Sequence, residues 1–206
     1  MLDRICLTNE QGNIGGAPAS GNEAGAASSP DAQVDQPYQF DFYDGGGLDA
    51  SFLGLAQADF HGNVNVSKFN GRPVGCGGFI NITRSTKKLV FCGAFTAGGL
   101  DVTVGGGKLT INTEGRSSKF INTVEQVTFN GHDAALRGQQ VLFVTERAVF
   151  HLTADGLELK EIAPGVDLER DVLAHMAFKP IVREVKTMDP GIFSEAWGGL
   201  AKHLSR

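Results

Sequence analysis

The sequence is short of the features that mark several large classes of protein. No run of Lys or Arg exceeds two residues and the formal net charge is −5, which leaves little to hold a phosphate backbone or an anionic bilayer surface. No apolar stretch approaches the roughly 18 residues that cross a bilayer as a helix. The opening "MLDRICLTNE" has neither a basic n-region nor an apolar h-region. A soluble, cytoplasmic protein is expected, with no nucleic acid and no membrane as partner. Cysteine is scarce. Cys6, Cys76 and Cys92 stand far apart without a C-x-x-C spacing, which suits a reducing compartment and buried, inert thiols. The five histidines are equally dispersed, so no metal site is expected.

Glycine is the residue in excess, at 28 of 206. It follows no fixed period but falls in clumps at 45–47, at 75 with 77–78, at 98–99 and at 105–107. Glycine clumps between β-rich runs mean sharp turns or close approach of a ligand to the backbone. Hydrophobic residues make up 41% and charged residues 20%, enough for a packed core and one domain over residues 1–206.

Along the chain the pattern is strand-rich. "RICLTNE" reads as a strand, with Ile5 and Leu7 alternating against polar neighbours. Residues 13–36, rich in Gly, Ala and Ser, read as a long loop. "YQFDFY" alternates aromatic and polar residues, as a strand does, up to the first glycine triplet. "FLGLAQ" and "VNVSKF" read as strands around a turn at "FHGN" that holds His61. "KKLVFCGAF" has the continuous apolar run of a strand buried on both faces. "LDVTV" and "KLTIN" flank a triple-glycine hairpin turn. "FINTVEQVTF", "QQVLFVTE", "RAVFHLT" and "LELKEIAP" complete the β section. Asp167 is placed to cap a helix over "LERDVLAHM", whose Leu168, Val172 and Met176 share a stripe. A last short helix is expected over "IFSEAWGGLAKHL", with Trp197 packing the tail.

One carboxylate stands out. "LTNEQGNIGG" runs from an apolar segment into Glu10 and then Gly12, Gly15 and Gly16. As an isolated feature Glu10 reads first as a solvated turn residue. The alternative is a nucleophile left sterically open by its glycines, already ionised at neutral pH and able to attack an activated acyl group. Such an attack needs an oxyanion hole. "GCGGF" at 75–79 offers backbone N–H groups without obstructing Cβ atoms, although a plain turn between strands would use the same residues.

Taken together and in order, "NEQGNIGG", "QFDFYDGGGLDASFLGLAQAD", "GNVNVSKF", "GCGGFINIT" and "FVTERAVFHLTADGLELKEIAPGVDLERDVL" resemble the C-terminal half of a family I CoA-transferase, nearest to its propionate/acetate branch. The resemblance implies an open α/β sheet of the kind shared with sugar-phosphate isomerases, strand-rich and incomplete at its N-terminal edge. It implies ping-pong transfer of CoA between short-chain carboxylic acids through a glutamyl-CoA thioester on Glu10, with Gly78 in the oxyanion hole. Gly75, Gly77, Asn9 and Gly12 are then expected around the bound acyl-CoA. CoA is a co-substrate, and no cofactor is implied.

Related 3-oxoacid transferases carry S-E-N-G at the nucleophile, where this chain has Asn9-Glu10-Gln11-Gly12. The family also carries an upstream domain and loop, and this chain has only nine residues before Glu10. A partner is therefore expected, either the N-terminal half of the same enzyme or a second copy, covering an unpaired sheet edge. Two other functions fit the same residues: a non-catalytic CoA-binding or assembly half, and an acyl-CoA hydrolase. Phe40, Phe42 and Tyr43 either wall an acyl pocket or fill the core. Asn63 and Asn65 bond backbone or a CoA arm, and Glu146 with Arg147 reads as a structural pair.

Overall fold

The computed structural model describes residues 5–196. The sequence reads as one domain, but its contacts gather into two compact units, Met1–Ser51 with Gly77–Lys87, and Phe52–Cys76 with Lys88–Arg206.

The first unit begins irregularly. Instead of the strand expected at "RICLTNE", the described residues make one isolated bridge, Thr8 to Ile14, flanked by the Gly15 N–H on the Leu7 carbonyl and the Asn9 N–H on the Asn13 carbonyl. Residues 13–36 are more ordered than a long loop. Asn13–Ile14 pairs with Ala32–Gln33, and Ala17–Pro18 pairs with Ala27–Ser28, giving two nested antiparallel ladders.

"YQFDFY" is a helix, α1 (Gln36–Asp44), and its aromatic alternation is misleading. Pro37 sits in the first turn, where its missing N–H costs nothing. The glycine triplet stops the helix. The Gly46 N–H bonds the Tyr43 carbonyl and the Gly47 N–H bonds the Phe42 carbonyl, both at 3.0 Å, with Gly46 at φ +85°. That is the Schellman arrangement, which favours glycine at the left-handed position. The buried residues, Gln39 and Tyr43, lie one helical turn apart, while Tyr38 and Phe42 are 66% and 49% exposed. "INIT" belongs to a second helix, α2 (Phe79–Ser85), which packs on α1.

The second unit is built on an open six-stranded sheet. Its strands are β1 (Ala50–Gly54, of which residues 52–54 belong to this unit), β2 (Lys88–Cys92), β3 (Gln140–Val144), β4 (Ala148–Thr153), β5 (Gly156–Ile162) and β6 (Ile181–Thr187). Their spatial order is β6-β5-β4-β3-β2-β1. The β2–β3 and β5–β6 pairs are parallel, and β3–β4 and β4–β5 antiparallel. The fold is α/β, open and strand-rich.

β2 is buried on one face only, through Leu89 and Phe91, with Lys88 and Cys92 exposed. Phe91 meets Phe129 and Phe143, while Phe120 meets Phe95 and Phe150, all at 4.8–5.2 Å between ring centroids. The hairpin Asp101–Gly105 with Lys108–Thr113 is present as expected. "FINTVEQVTF" is irregular and forms isolated bridges, Phe120 to Ala58 and Phe129 to Val64, on the short hairpin Gln57–Ala58/Val64–Asn65. Asp167 does cap a helical segment, its carboxylate accepting the Arg170 N–H at 2.8 Å, but the segment is one wide turn and a 3-10 turn (Leu168–Val172, Leu173–His175). Near the C-terminus only the 3-10 turn Pro190–Phe193 is helical among the described residues, and Trp197 lies outside them. Cys6 and Cys92 are exposed and Cys76 half-buried, all three free, so the thiols are not the buried set expected. Among the described residues no helix is long and apolar enough to cross a membrane.

The most demanding feature of this unit is Arg147, wholly buried beside the β3–β4 turn. Its guanidinium donates to both oxygens of Glu114 at 2.6 and 3.1 Å, to Glu146 at 2.6 Å and to the Asp171 carbonyl at 3.0 Å, and lies 4.9 Å from the Phe95 ring centroid. Glu146 in turn accepts the Phe95 N–H at 2.8 Å. Burial pushes the Glu114 carboxyl up, but the Arg147 and Thr96 hydrogen bonds and the Arg147 charge bring it below its ordinary value. Asp171 is also held low, first by its hydrogen bond from Arg170.

Both carboxyls therefore stabilise the fold above their unfolded pKa values and lose that contribution as pH falls through the lower folded ones. In urea unfolding the contribution of these two carboxyls is expected to be constant from neutral pH to about pH 5 and to decline progressively below it. Arg147→Met leaves two carboxylates without their cation and is expected to cost about 3–5 kcal/mol at pH 7 in the same assay.

Candidate active site

Glu10 sits at the tip of a four-residue turn over residues 9–12, closed by the Gly12 N–H on the Asn9 carbonyl at 3.2 Å. Side-chain amides hold the turn from both ends. Asn9 Oδ1 accepts the Asn13 N–H and Asn13 Nδ2, each at 3.1 Å. Asn9 Nδ2 and Asn13 Nδ2 both donate to the Gly25 carbonyl, at 3.1 and 2.7 Å. Gly12 is buried with φ +105°, and a Cβ there would run into the Val34 carbonyl. The backbone of the turn is well tied, whereas the Glu10 carboxylate has one long contact, 3.5 Å from Gln11 Nε2, and is half-buried.

The carboxylate lies against Gly78. A Cβ built on Gly78 would overlap Glu10 Oε2 and come within 2.6–2.7 Å of two Phe40 ring atoms. At Gly77 the same construction leaves 3.7 Å to Glu10 Oε1. Gly78 caps α2 with φ −80° and ψ 7°, and its carbonyl accepts the Ile82 N–H at 3.0 Å. Its glycine identity therefore answers to crowding by Glu10 and Phe40, not to backbone conformation. Among the described residues no acceptor takes the Gly77 or Gly78 N–H. Two free backbone donors beside a half-buried carboxylate are what stabilisation of an oxyanion requires.

Of the residues singled out in the sequence, Glu10, Gly77 and Gly78 are thus brought together in the first unit. Asn9 and Gly12 build the turn itself. Gly75 belongs to the second unit, where it is exposed with φ +88° and donates its N–H to the Ser67 carbonyl at 3.3 Å. The aromatic trio divides: Tyr43 is core, Phe42 is half exposed over Gly47, and Phe40 reaches the site.

Asn63 and Asn65 are used internally. Asn63 bonds Asp59 and the Gly131 N–H, while Asn65 bonds Gln57, the Lys68 carbonyl and two backbone N–H groups. His61 is an exposed turn residue, and Glu146 with Arg147 is the structural pair expected. Among the described residues no group of three or more His, Cys, Asp or Glu side chains is gathered to hold a metal ion.

Sequence reasoning missed Gln39, which lies fully buried on α1 with its amide under the Glu10 turn. The signal was available in Pro37, the glycine stop at 45–47 and the i, i+4 pair Gln39/Tyr43.

No protein-family model matches the chain. It is 49% identical over 205 residues to a caffeate CoA-transferase of Acetobacterium woodii, a match covering 97% of this chain and 39% of that protein. It is 50% identical over 195 residues to the acetate CoA-transferase YdiF of Escherichia coli O157:H7, covering 94% and 37%. A crystal structure of YdiF from the same organism, described as a thioester complex with CoA, superposes with a TM-score of 0.88 at 48% identity, over 95% of this chain and 37% of that one. The chain therefore spans well under half the length of the curated relatives it matches. By sequence over nearly all of its length, and by its α/β fold, it belongs to the family I CoA-transferases.

Proposed function

We propose that this chain carries the catalytic glutamate of an enzyme that transfers CoA between short-chain carboxylic acids. The observation that carries the proposal is the Glu10 carboxylate lying against Gly78, beside two unpartnered backbone N–H groups. Support also comes from the relatives' names, which specify acetate and caffeate, and from the YdiF structure described as a thioester with CoA.

In the proposed route a Glu10 oxygen adds to the thioester carbonyl carbon of acyl-CoA. The negative charge moves to the carbonyl oxygen, which the Gly78 and Gly77 N–H groups receive. The C–S bond breaks, the CoA thiolate leaves with its electron pair, and a mixed anhydride remains on Glu10. The thiolate then adds to the Glu10 side-chain carbonyl carbon. The bond from that carbon to the bridging oxygen breaks, so the first acid departs as its carboxylate with that oxygen and a glutamyl-CoA thioester is left. A second carboxylate runs the two steps in reverse and leaves as the new acyl-CoA. No metal or organic cofactor enters this route, and CoA is a co-substrate.

Asn9 and Gly12 serve by shaping the turn, and Phe40 walls the space beside the carboxylate. The remainder of the relatives' polypeptide, which this chain does not span, is the proposed partner that completes the acyl-CoA pocket.

Transfer is measured from propionyl-CoA to labelled acetate, using the chain alone and the chain mixed with the part of the YdiF polypeptide outside the match. Glu10→Ala is expected to lower transfer by more than about a thousandfold with the unfolding midpoint unchanged, since the side chain makes only one long contact. Unchanged transfer would overturn the assignment. Release of free acid at the rate of transfer would identify a hydrolase instead.

Gly78→Ala has a permitted backbone conformation but places a methyl group where Glu10 and Phe40 lie. It is expected to lower transfer by on the order of a hundredfold through displacement of the carboxylate. Its cost in stability is about 1–3 kcal/mol, read by denaturant unfolding.

A further inference from the structure

We infer that Gln39 is a positioning residue for the Glu10 nucleophile, an assignment that rests on the reading of Glu10 given above. Gln39 is wholly buried on α1. Its Nε2, with two protons to donate, lies within hydrogen-bonding reach of three oxygens: the Asn9 carbonyl at 3.2 Å, the Tyr43 hydroxyl at 2.9 Å and the Thr8 hydroxyl. The Thr8 and Tyr43 hydroxyls also bond one another at 2.8 Å.

The direction of this amide is informative. A carbonyl can only accept, so the Asn9 contact requires nitrogen on that side. Turned over, the amide would give Oε1 two hydroxyl donors but set it against the Asn9 carbonyl. In the orientation observed, Oε1 has no partner among the described residues. A buried acceptor left alone is costly, and an amide serving only the core would turn to satisfy it. This one holds the Asn9 carbonyl instead.

That carbonyl belongs to the peptide bond leading into Glu10, and it also accepts the turn-closing Gly12 N–H. Gln39 and Gly12 thus fix the Asn9–Glu10 peptide plane between them. The next residue of α1, Phe40, meets Gly78 at the place where the Glu10 carboxylate does. One stretch of helix therefore sets both the backbone and the side chain of the nucleophile, while leaving its carboxylate nearly free of hydrogen bonds. Rigid support beneath an unencumbered reactive group is the arrangement that keeps a nucleophile in near-attack geometry.

The test is Gln39→Met, which keeps the length of the side chain and removes the donor and the unpartnered acceptor together. The unfolding midpoint is expected to move by less than about 5 °C. Amide exchange followed by NMR is expected to accelerate at least tenfold at the Gly12 N–H, with the amides of α1 and α2 unchanged. The maximal rate of adduct formation on Glu10, measured with propionyl-CoA under the conditions in which the wild type reacts, is expected to fall on the order of ten- to a hundredfold, with half-saturation unchanged. Gln39→Glu introduces a carboxyl that donates only when protonated, so its adduct rate relative to wild type at the same pH is expected to recover as pH is lowered.

Wild-type exchange at Gly12 together with a wild-type adduct rate would overturn the inference. Loss of the fold in both variants would make Gln39 a structural residue and overturn it as well. A wild-type protein that forms no adduct on Glu10 defeats the nucleophile reading alone, because Gly12 exchange still judges whether Gln39 holds the turn.

Discussion

The space that a Cβ would take on Gly78 is filled by two other residues, the carboxylate of Glu10 and the ring of Phe40. The first unit is arranged around that exchange. Its two helices meet there, α1 delivering Phe40 and α2 beginning immediately after Gly78. The Glu10 turn is held by three side-chain amides: those of Asn9 and Asn13 tie it to the Gly25 carbonyl and to each other, and that of Gln39 donates to its Asn9 carbonyl. The division between held backbone and free carboxylate is what separates this turn from an ordinary surface one. A carboxylate that closed its own turn would have its lone pairs occupied. Here neighbouring amides do that work, and Glu10 is left to react.

The second unit uses its polar groups in the opposite way. Arg147, Glu114 and Glu146 satisfy one another, and Asp59, Asn63 and Asn65 close local turns. These residue types suggest chemistry when met in a sequence, yet in the structure their donors and acceptors are committed to backbone and to each other. Buried charge of this kind fixes geometry more than it adds stability, because desolvation offsets much of the ion-pair attraction. Breaking the group is nevertheless costly, since the remaining charges keep their burial and lose their partner. The phenylalanine layer supplies the apolar burial on which the sheet rests, with rings from β2, β3 and β4 and from the irregular segment around Phe120 and Phe129.

The chemistry of the site was more legible in the sequence than its supports. An ionised carboxylate followed by glycines, and a second glycine group able to offer bare N–H donors, are local statements that survive any error in secondary structure. The helices were harder. In α1 the aromatics at 38, 40 and 42 alternate like a strand, whereas the buried pair is Gln39 and Tyr43, and a glutamine carries no hydrophobic signal. In α2 the isoleucines and threonine of "INIT" favour strands intrinsically, and packing on α1 overrides that preference. β6 followed Pro180 and has an exposed, charged sequence, as an edge strand can. "FINTVEQVTF" had the alternation of a strand without a neighbour to pair along its length. Among the strands that read correctly, β3 and β4 are those whose alternation coincides with one-sided burial and a tight antiparallel turn.

The central claim is that Glu10 forms a covalent bond to the acyl group and then to CoA. The most direct measurement is intact-mass spectrometry after brief incubation with propionyl-CoA, followed by peptide mapping, for the chain alone and for the chain completed with the rest of a relative's polypeptide. A mass increase equal to a CoA thioester, located on the peptide containing Glu10 and missing in Glu10→Ala, is the predicted result. An unmodified Glu10 peptide in both preparations, under conditions where acyl-CoA is bound, would contradict the account.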